Sequence, residues 1–182
     1  MSTDFLMDGF STWANLLVTK RSAFGAAPRE LLDSPDRLRL WLRQSGLEPV
    51  RAPTEEDLAR AITLREALRS VALAHTDHTP PPRKAVATIA TFTRSDAPPR
   101  PVVRAGRLVR ERPADTSAAL ARIARAAVDQ MTGAEGRYLR QCAERDCRWV
   151  FLDPTGRQRW CSTGCASRGR VRAHRERKRL NA

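Results

Sequence analysis

The four cysteines of the chain constrain its fold more than any other feature, because all of them lie in one short stretch. They form two close pairs, Cys142 with Cys147 and Cys161 with Cys165, separated by thirteen residues. Two local pairs joined by a loop are the usual way in which a short chain supplies the four tetrahedral ligands of a structural zinc ion. The spacing therefore predicts one Zn²⁺ bound by Cys142, Cys147, Cys161 and Cys165.

Two disulfides are the alternative use of four cysteines. The first residues, Met-Ser-Thr-Asp-Phe, lack the basic start of a secretory signal, and no apolar run approaches the ~20 residues that a bilayer span needs. We therefore expect a cytoplasmic protein that does not enter a membrane. Thiols stay reduced in that compartment, where clustered cysteines are typical of metal sites.

The residues between the cysteine pairs predict a β-hairpin. Apolar side chains alternate along residues 148–152, a Pro and a Gly suit a turn at residues 153–156, and residues 157–160 lead back to the third cysteine. The aromatic side chains of this segment are interpreted as a small core instead of a platform for nucleic-acid bases: Trp149, Phe151 and Trp160.

A basic helix is predicted to follow the hairpin. Ser162 and Thr163 can cap it, Cys165 lies in its first turn, and it continues through the arginines to about residue 179. The turn at the first cysteine pair, the hairpin and the helix together predict a treble-clef-like zinc finger. A helix of this length spans roughly 25 Å, enough to cross a major groove. The predicted nucleic-acid contacts are Arg168, Arg170, Arg172, Arg175, Arg177, Lys178 and Arg179.

This C-terminal segment resembles the CGNR zinc-finger family. The resemblance is carried by Leu139-Arg-Gln-Cys142, Cys147-Arg-Trp-Val-Phe-Leu-Asp153, Arg159-Trp-Cys-Ser162 and a basic helix with Arg168, Val171, Arg172 and His174. It implies a bacterial protein in which a helical domain named ABATE precedes a finger that contacts DNA and regulates transcription. The Cys-Gly-Asn-Arg signature stands here as Cys165-Ala-Ser-Arg168, so the cysteine and the arginine are kept.

The rest of the chain predicts a mainly α fold, with residues 1–134 as a helical, ABATE-like sensory or dimerisation domain and residues 137–182 as the finger. The predicted buried faces are Phe10, Trp13, Ala14 and Leu17 in the first helix and Leu120, Ile123, Ala127, Val128 and Met131 in the last helix of this domain. The predicted helices cover residues 8–24, residues 35–45 between an N-cap at Ser34 and a stop at Gly46, residues 54 to about 78 with a capping-box-like start at Thr54-Glu-Glu-Asp57, and residues 117–131. Residues 85–94 are β-branched enough for a strand, but a helix is favoured there. A β-hairpin is predicted over residues 101–110.

The charge of the chain indicates an anionic partner. The formal net charge is +13, and residues 137–182 carry 13 Lys and Arg against 4 Asp and Glu. Four thiolates around one Zn²⁺ contribute −2 to this segment, which stays strongly positive. A concentrated positive charge of this kind is typical of proteins that bind phosphate backbones.

These observations predict a DNA-binding transcription regulator, with Arg168 as the first candidate for a specific role. A single finger buries modest surface, so we expect a homodimer or a partner protein, and the N-terminal domain could receive a small-molecule effector. Structured RNA and a protein partner stay open as alternatives. An enzyme is not expected, since four cysteines leave zinc no open position; an unrecognised activity of the N-terminal domain stays open as the least favoured alternative. His75 and His78 are interpreted as loop or helix-end residues.

Overall fold

The computed structural model describes residues 5–7, 11–94 and 99–180, and within these ranges the chain is mainly helical with small antiparallel hairpins. This confirms the predicted fold class. In none of these ranges does a helix combine the length and the hydrophobicity that crossing a bilayer requires. The elements in chain order are α1 (Thr12–Leu17), β1 (Lys20–Arg21), β2 (Arg29–Glu30), α2 (Pro35–Gln44), α3 (Glu55–Thr76), α4 (Arg83–Thr93), β3 (Pro101–Arg104), β4 (Arg107–Arg110), α5 (Thr116–Thr132), a 3-10 helix (Ala134–Tyr138), β5 (Leu139–Gln141), β6 (Val150–Leu152) and α6 (Thr163–Leu180).

Helix α3 is the centre of the molecule, since α1, α2, α4 and α5 all pack against it. The predicted capping box starts it. The Thr54 hydroxyl accepts a hydrogen bond from the backbone N–H of Asp57 at 3.2 Å, and the Asp57 carboxylate accepts one from the Thr54 N–H at 3.1 Å. Acidic side chains in the first turn also interact favourably with the positive end of the helix dipole.

Other predicted elements are confirmed. Ser34 caps α2 through a hydrogen bond from the backbone N–H of Arg37, and Gly46 follows the helix with φ of +70°. Residues 83–93 are helical. Strands β3 and β4 form the expected hairpin, and both residues of its two-residue turn, Ala105 and Gly106, have positive φ, as a type I′ turn requires.

The first predicted helix is wrong in its extent. Helix α1 ends at Leu17, and Phe10 lies outside the described residues. The Thr19 hydroxyl donates to the Leu16 carbonyl at 2.7 Å, and the Thr19 carbonyl accepts from the N–H of Leu31. The backbone after Thr19 therefore enters the β1–β2 hairpin, where Lys20 pairs with Glu30, instead of continuing the helix.

Two buried arginines hold this hairpin against α3. The guanidinium of Arg65, 1% exposed, binds both carboxylate oxygens of Glu30 at 2.7 and 2.6 Å and the Thr19 hydroxyl at 3.0 Å. Arg69 donates to the Leu17 carbonyl at 2.8 Å. Burial alone would raise the pKa of Glu30, but the hydrogen bonds from Arg65 and from the Leu32 backbone hold that pKa below its usual value.

The predicted buried face of α5 is correct except at Val128. Leu120, Ile123, Ala127 and Met131 are buried, whereas Val128 is 38% exposed. The reason is that Val128 lines an open cavity between α3, α4 and α5 instead of a closed contact between helices.

One hydrophobic core extends from the helical body into the C-terminal segment. The fully buried Trp13 and Trp41 lie in the same cluster as Trp149, Val150 and Phe151. The parts of the chain on either side of residue 136 therefore pack on each other across a shared apolar surface.

Candidate metal centre and nucleic-acid interface

The predicted hairpin of the finger is wrong in its pairing. Residues 150–152 form β6, which pairs with β5 on its N-terminal side and not with residues 157–160. The Asp153 carboxylate explains the difference, since it accepts hydrogen bonds from the backbone N–H groups of Thr155 at 3.1 Å and Gln158 at 2.7 Å. The predicted turn is therefore present, but it directs the chain away from a strand and towards the cysteines.

The first cysteine pair lies in the loop that joins β5 to β6. Cys142 directly follows β5, and its N–H donates to the Trp149 carbonyl at 2.8 Å. The N–H of Cys147 donates to the Glu144 carbonyl at 2.9 Å, and Arg148 has φ of +46°. This tight backbone turn directs both thiol groups to the same side of the loop.

The second pair is positioned by the start of α6. The hydroxyl of Ser162 accepts a hydrogen bond from the Cys165 N–H at 3.2 Å, which is the predicted N-cap. The N–H of Cys161 points at the sulfur of Cys142, 3.5 Å away. Helix α6 therefore begins at the cysteine cluster, and the cap fixes the position of its first turn.

The four sulfur atoms form one cluster with the dimensions of a zinc site. All four Sγ atoms lie within 4.8 Å of one another, with Cys147 and Cys161 at 3.7 Å and Cys161 and Cys165 at 3.5 Å. A tetrahedral Zn²⁺ with Zn–S bonds of ~2.3 Å separates its sulfur ligands by roughly 3.8 Å. The cluster fits one structural zinc ion with four cysteine ligands, as predicted.

Four thiols this close cannot all carry a negative charge unless a cation lies among them. Hydrogen bonds from Cys147 and Cys161 lower the pKa of Cys142 to about 2. The same bond to Cys142 raises the pKa of Cys147 to about 12, and bonds to both neighbours raise the pKa of Cys161. Sulfurs this close share protons when no cation is present, and Zn²⁺ replaces those protons when it binds.

Arg168 contacts the metal centre itself. Its Nη2 atom donates to the Sγ of Cys165 at 3.0 Å, three residues earlier on α6. A donor to a thiolate reduces its negative charge and fixes its orientation, so partners of this kind influence metal affinity. The arginine that the family signature keeps therefore supports a zinc ligand in this structure.

Arg172 fastens α6 to the first cysteine loop. Its Nη2 atom lies 2.7 Å from the buried carboxylate of Glu144 and 2.8 Å from that of Asp146. The hydrogen bond raises the pKa of Arg172 and lowers that of Asp146. The charge of Arg172 is thus already paired within the protein, and this pairing could not be seen in the sequence.

The other predicted contact residues are exposed on α6. In the described part of the chain none of them forms an ion pair, although Arg170 lies 3.5 Å from the Ser167 hydroxyl. At 100° per residue, three of them continue the face of Arg168 and Arg172, and the other two lie opposite. These residues are Arg175, Lys178 and Arg179 on the first face and Arg170 and Arg177 on the second.

A groove of about 940 Å³ runs between α6 and the first cysteine loop. Arg145 lines its loop side with a side chain that is 75% exposed, and Arg175, Lys178 and Arg179 line its helix side. Sequence reasoning missed Arg145, although a basic residue between two ligands of one pair was a visible signal. The groove brings together positive charges that are far apart in the chain.

Trp160 packs against α6 where that helix has no side chain. A Cβ at Gly169 would lie 2.7 Å from the Trp160 Nε1 atom. The Trp160 ring is half-buried and stacks under the Arg159 guanidinium at 5.0 Å, while Trp149 and Phe151 are buried. The three aromatic residues therefore pack within the protein, as interpreted from the sequence.

Several contacts join the finger to the helical body. Asp77, at the end of α3, accepts hydrogen bonds from Arg148 at 3.0 Å and Gln141 at 3.2 Å. The N–H of Phe24 donates to the Asp146 carbonyl. His75 contacts the Gly136 carbonyl at 2.9 Å, which agrees with its interpretation as a helix-end residue. Among the described residues, the four cysteines are the only group of His, Cys, Asp or Glu side chains close enough together to bind a metal ion.

Comparisons with known proteins match both parts of the chain. The model of the ABATE family, described as "Putative stress-induced transcription regulator", matches residues 11–134, and that of the CGNR zinc finger matches residues 138–178. A search of the curated proteins finds no match. The ABATE match covers more than half of the chain, and the four cysteines lie within the second match. The chain therefore belongs to the ABATE family and carries a CGNR zinc finger.

Proposed function

We propose that this protein binds double-stranded DNA through α6 and regulates transcription. The observation that carries the proposal is the position of α6, which starts at the metal centre and extends an exposed basic half away from it. Eighteen residues give a helix of roughly 27 Å. A rigid cationic rod of that length suits a major groove of ~12 Å width.

The arginines of α6 have two roles in this proposal. Arg172 holds the helix at the cysteine loop through Glu144 and Asp146, whereas Arg168 supports the zinc ligand Cys165 within α6 itself. The free cations further along meet the DNA. Because these contacts fix the orientation of α6 before DNA binds, the loss of conformational entropy on binding is smaller.

The groove between α6 and the cysteine loop is the proposed site for one strand of the phosphate backbone. Arg145 approaches from the loop, and Arg175, Lys178 and Arg179 approach from the helix. Most contacts in such interfaces go to phosphate oxygens, so these four residues position the protein. Arg170 and Arg177, on the opposite face, reach the neighbouring backbone or the base edges.

We propose that a second copy or a partner protein completes the DNA-binding unit, because single modules bury only ~600–1,000 Å². The N-terminal domain is the part that would dimerise or receive an effector. The proposed role is binding and not catalysis, since a zinc ion with four cysteine ligands has no open position for a substrate. A regulator of chromosomal DNA acts in the cytoplasm, which is the location that we propose.

The test measures how salt changes the affinity for duplex DNA. Fluorescence anisotropy of a labelled random duplex is followed with zinc-loaded, full-length protein between about 50 and 200 mM salt. The triple variant Arg175→Ala, Lys178→Ala, Arg179→Ala is expected to reduce the slope of log K against log [salt] by about three, one for each lost phosphate contact.

The matched control removes three equally exposed charges from the β3–β4 hairpin, through Arg104→Ala, Arg107→Ala and Arg110→Ala. Its slope should stay close to that of the unchanged protein. Equal slopes for both triple variants would show that net charge alone causes binding and would contradict the role of α6. Displacement of the duplex by structured RNA at equal salt would indicate RNA as the partner, and a missing salt slope would favour a protein partner.

A further inference from the structure

An apolar cavity of about 500 Å³ lies between α3, α4 and α5, away from the cysteines. Each of the three helices contributes apolar side chains, of which Val86 and Val128 are 44% and 38% exposed and two others are buried. We call this space the apolar cavity; its main lining residues are Val71, Val86, Ile89, Ala90, Val128 and Met131.

The cavity results from the sequence of α4. This helix contributes Ala90 to the lining, and a single methyl group fills little of the space beside Val128 of α5. On the buried side Ile89 and Met131 close the cavity, with exposures of 5% and 9%. Apolar surface that remains in contact with water in this way is a source of binding free energy for any apolar molecule that fits.

The polar groups of the cavity limit what it can bind. The hydroxyl protons of Thr93 and Thr132 are already donated to the carbonyl oxygens of Ala90 and Val128, at 3.0 and 2.8 Å. These hydroxyls can therefore only accept a hydrogen bond from a ligand. Arg125 and Asp129 line the same cavity with opposite charges, so together they present no net charge for an ionic ligand to match.

We propose that the apolar cavity is a binding site for a small, uncharged, mainly apolar molecule with at most two hydrogen-bond donors, one for each threonine hydroxyl. Its volume falls within the ~300–1,000 Å³ of known small-molecule sites. Helices enclose it on three sides, as is common for ligand sites in helical bundles.

Met131 connects this cavity to the finger. Its side chain also lines the space where α3, the 3-10 helix and β5 meet, together with His75 and Leu139. A ligand in the apolar cavity thus contacts a residue that borders the first strand of the finger. That such a ligand changes DNA affinity rests on the proposed function, whereas the binding itself does not.

The binding test uses the neutral fluorophore N-phenyl-1-naphthylamine, an aromatic amine with one donor, and zinc-loaded full-length protein. We expect saturable emission enhancement with one site per chain. Ala90→Trp fills the cavity from α4 and should weaken binding at least about tenfold. Ala87→Trp places the same ring on the exposed side of α4, outside the cavity, and should leave the affinity unchanged.

Val128→Phe fills the cavity from α5 and provides a second test if Ala90→Trp fails to fold, which thermal melting would reveal. If the fluorophore emission does not saturate, or if both filling variants keep the enhanced emission, the proposed binding site is wrong. If Ala90→Trp instead converts a dimer into monomers in sedimentation, a second copy covers the cavity and the small-molecule proposal is wrong.

The regulatory part is tested by titrating duplex DNA with and without saturating fluorophore. A change in DNA affinity of about twofold or more that Ala90→Trp abolishes would support coupling, and an unchanged affinity would overturn it. If no DNA binding is found under any condition, the proposed function is wrong. The fluorophore titration then still tests whether the apolar cavity binds a small molecule.

Discussion

The indole Nε1 atom of Trp149 donates a hydrogen bond to the backbone carbonyl of Ala14 across a distance of 2.7 Å. One residue belongs to the finger and the other to the first helix, 135 positions apart in the chain. Both are buried, with 3% and 1% exposure. The metal centre is therefore packed onto the helical body, and loss of zinc should destabilise the N-terminal domain as well.

Trp149→Phe tests this contact. The variant keeps most of the apolar ring but leaves the buried Ala14 carbonyl without its donor, which should lower the free energy of unfolding by about 1–3 kcal/mol. Urea unfolding followed by circular dichroism measures the change. Trp160→Phe, at a half-buried ring that forms no such bond with the described residues of the helical body, serves as the control and should cost less. Equal losses would mean that the bond to Ala14 contributes nothing specific.

Arg168→Met tests the contact to the Cys165 sulfur. The variant keeps a side chain of similar length but removes the donor, so zinc affinity should fall about 10–100-fold. Competition with a chromophoric chelator measures the affinity. Arg170→Met removes an equal charge from the opposite face of α6, and its zinc affinity should not change. If both variants lose zinc equally, overall charge and not the hydrogen bond controls the affinity.

Gly169→Ala tests the packing of Trp160 on α6. The new methyl group would lie 2.7 Å from the indole nitrogen, and such overpacking costs about 1–3 kcal/mol. Thermal unfolding and Trp fluorescence record the displacement of the ring. Gly164→Ala is the matched control on the same helix, because its Cβ would meet nothing closer than 3.8 Å. A stable Gly169→Ala protein with unchanged fluorescence would show that the close approach is not required.

Glu30→Gln tests the ion pair between this half-exposed carboxylate and the buried Arg65. Because the pKa of Glu30 is lower in the folded chain than its ordinary value of 4.5, its carboxylate stabilises the fold fully above that pH. The stabilisation is lost as the pH falls through the lowered pKa. Because the Glu30 side chain is 34% exposed, water screens part of the interaction, and the variant should be less stable by only about 1–2 kcal/mol at neutral pH. Its stability should approach that of the unchanged protein in strong acid.

Urea unfolding at a series of pH values measures this difference, with Glu56→Gln as an exposed control on α3. A gap between Glu30→Gln and the unchanged protein that stays constant from neutral to acid pH would contradict the assignment. It would mean that the Glu30 charge is not responsible for the stabilisation.

The sequence predicted what depends on local patterns. The caps at Ser34, Thr54 and Ser162 and the turn at Gly106 depend on residues that are neighbours in the chain, and the number and clustering of the four cysteines indicate their role as ligands. These features need no knowledge of the tertiary fold, and the structure confirms each of them.

What the sequence could not predict depends on residues distant in the chain. The side chains of strand β6 alternate as expected. The partner strand, however, depends on the cysteine loop, which brings β5 beside β6, and on the turn at Asp153, whose hydrogen bonds are made within the turn. Likewise, nothing in the run of arginines separates Arg172, which pairs with Glu144, from Arg175, which stays exposed. Only the tertiary contacts divide the basic helix into residues that anchor it and residues available to a partner.

The most direct test of the central claim compares the affinity for duplex DNA of zinc-loaded and zinc-free full-length protein at one salt concentration. Zinc holds the first turn of α6 and, through the cysteine loop, the carboxylates that bind Arg172. We therefore predict one zinc ion per chain, a loss of DNA affinity of at least about tenfold after chelation, and recovery when zinc is restored. Protein that lacks zinc after purification under reducing conditions, or that binds DNA equally well after chelation, would contradict the claim.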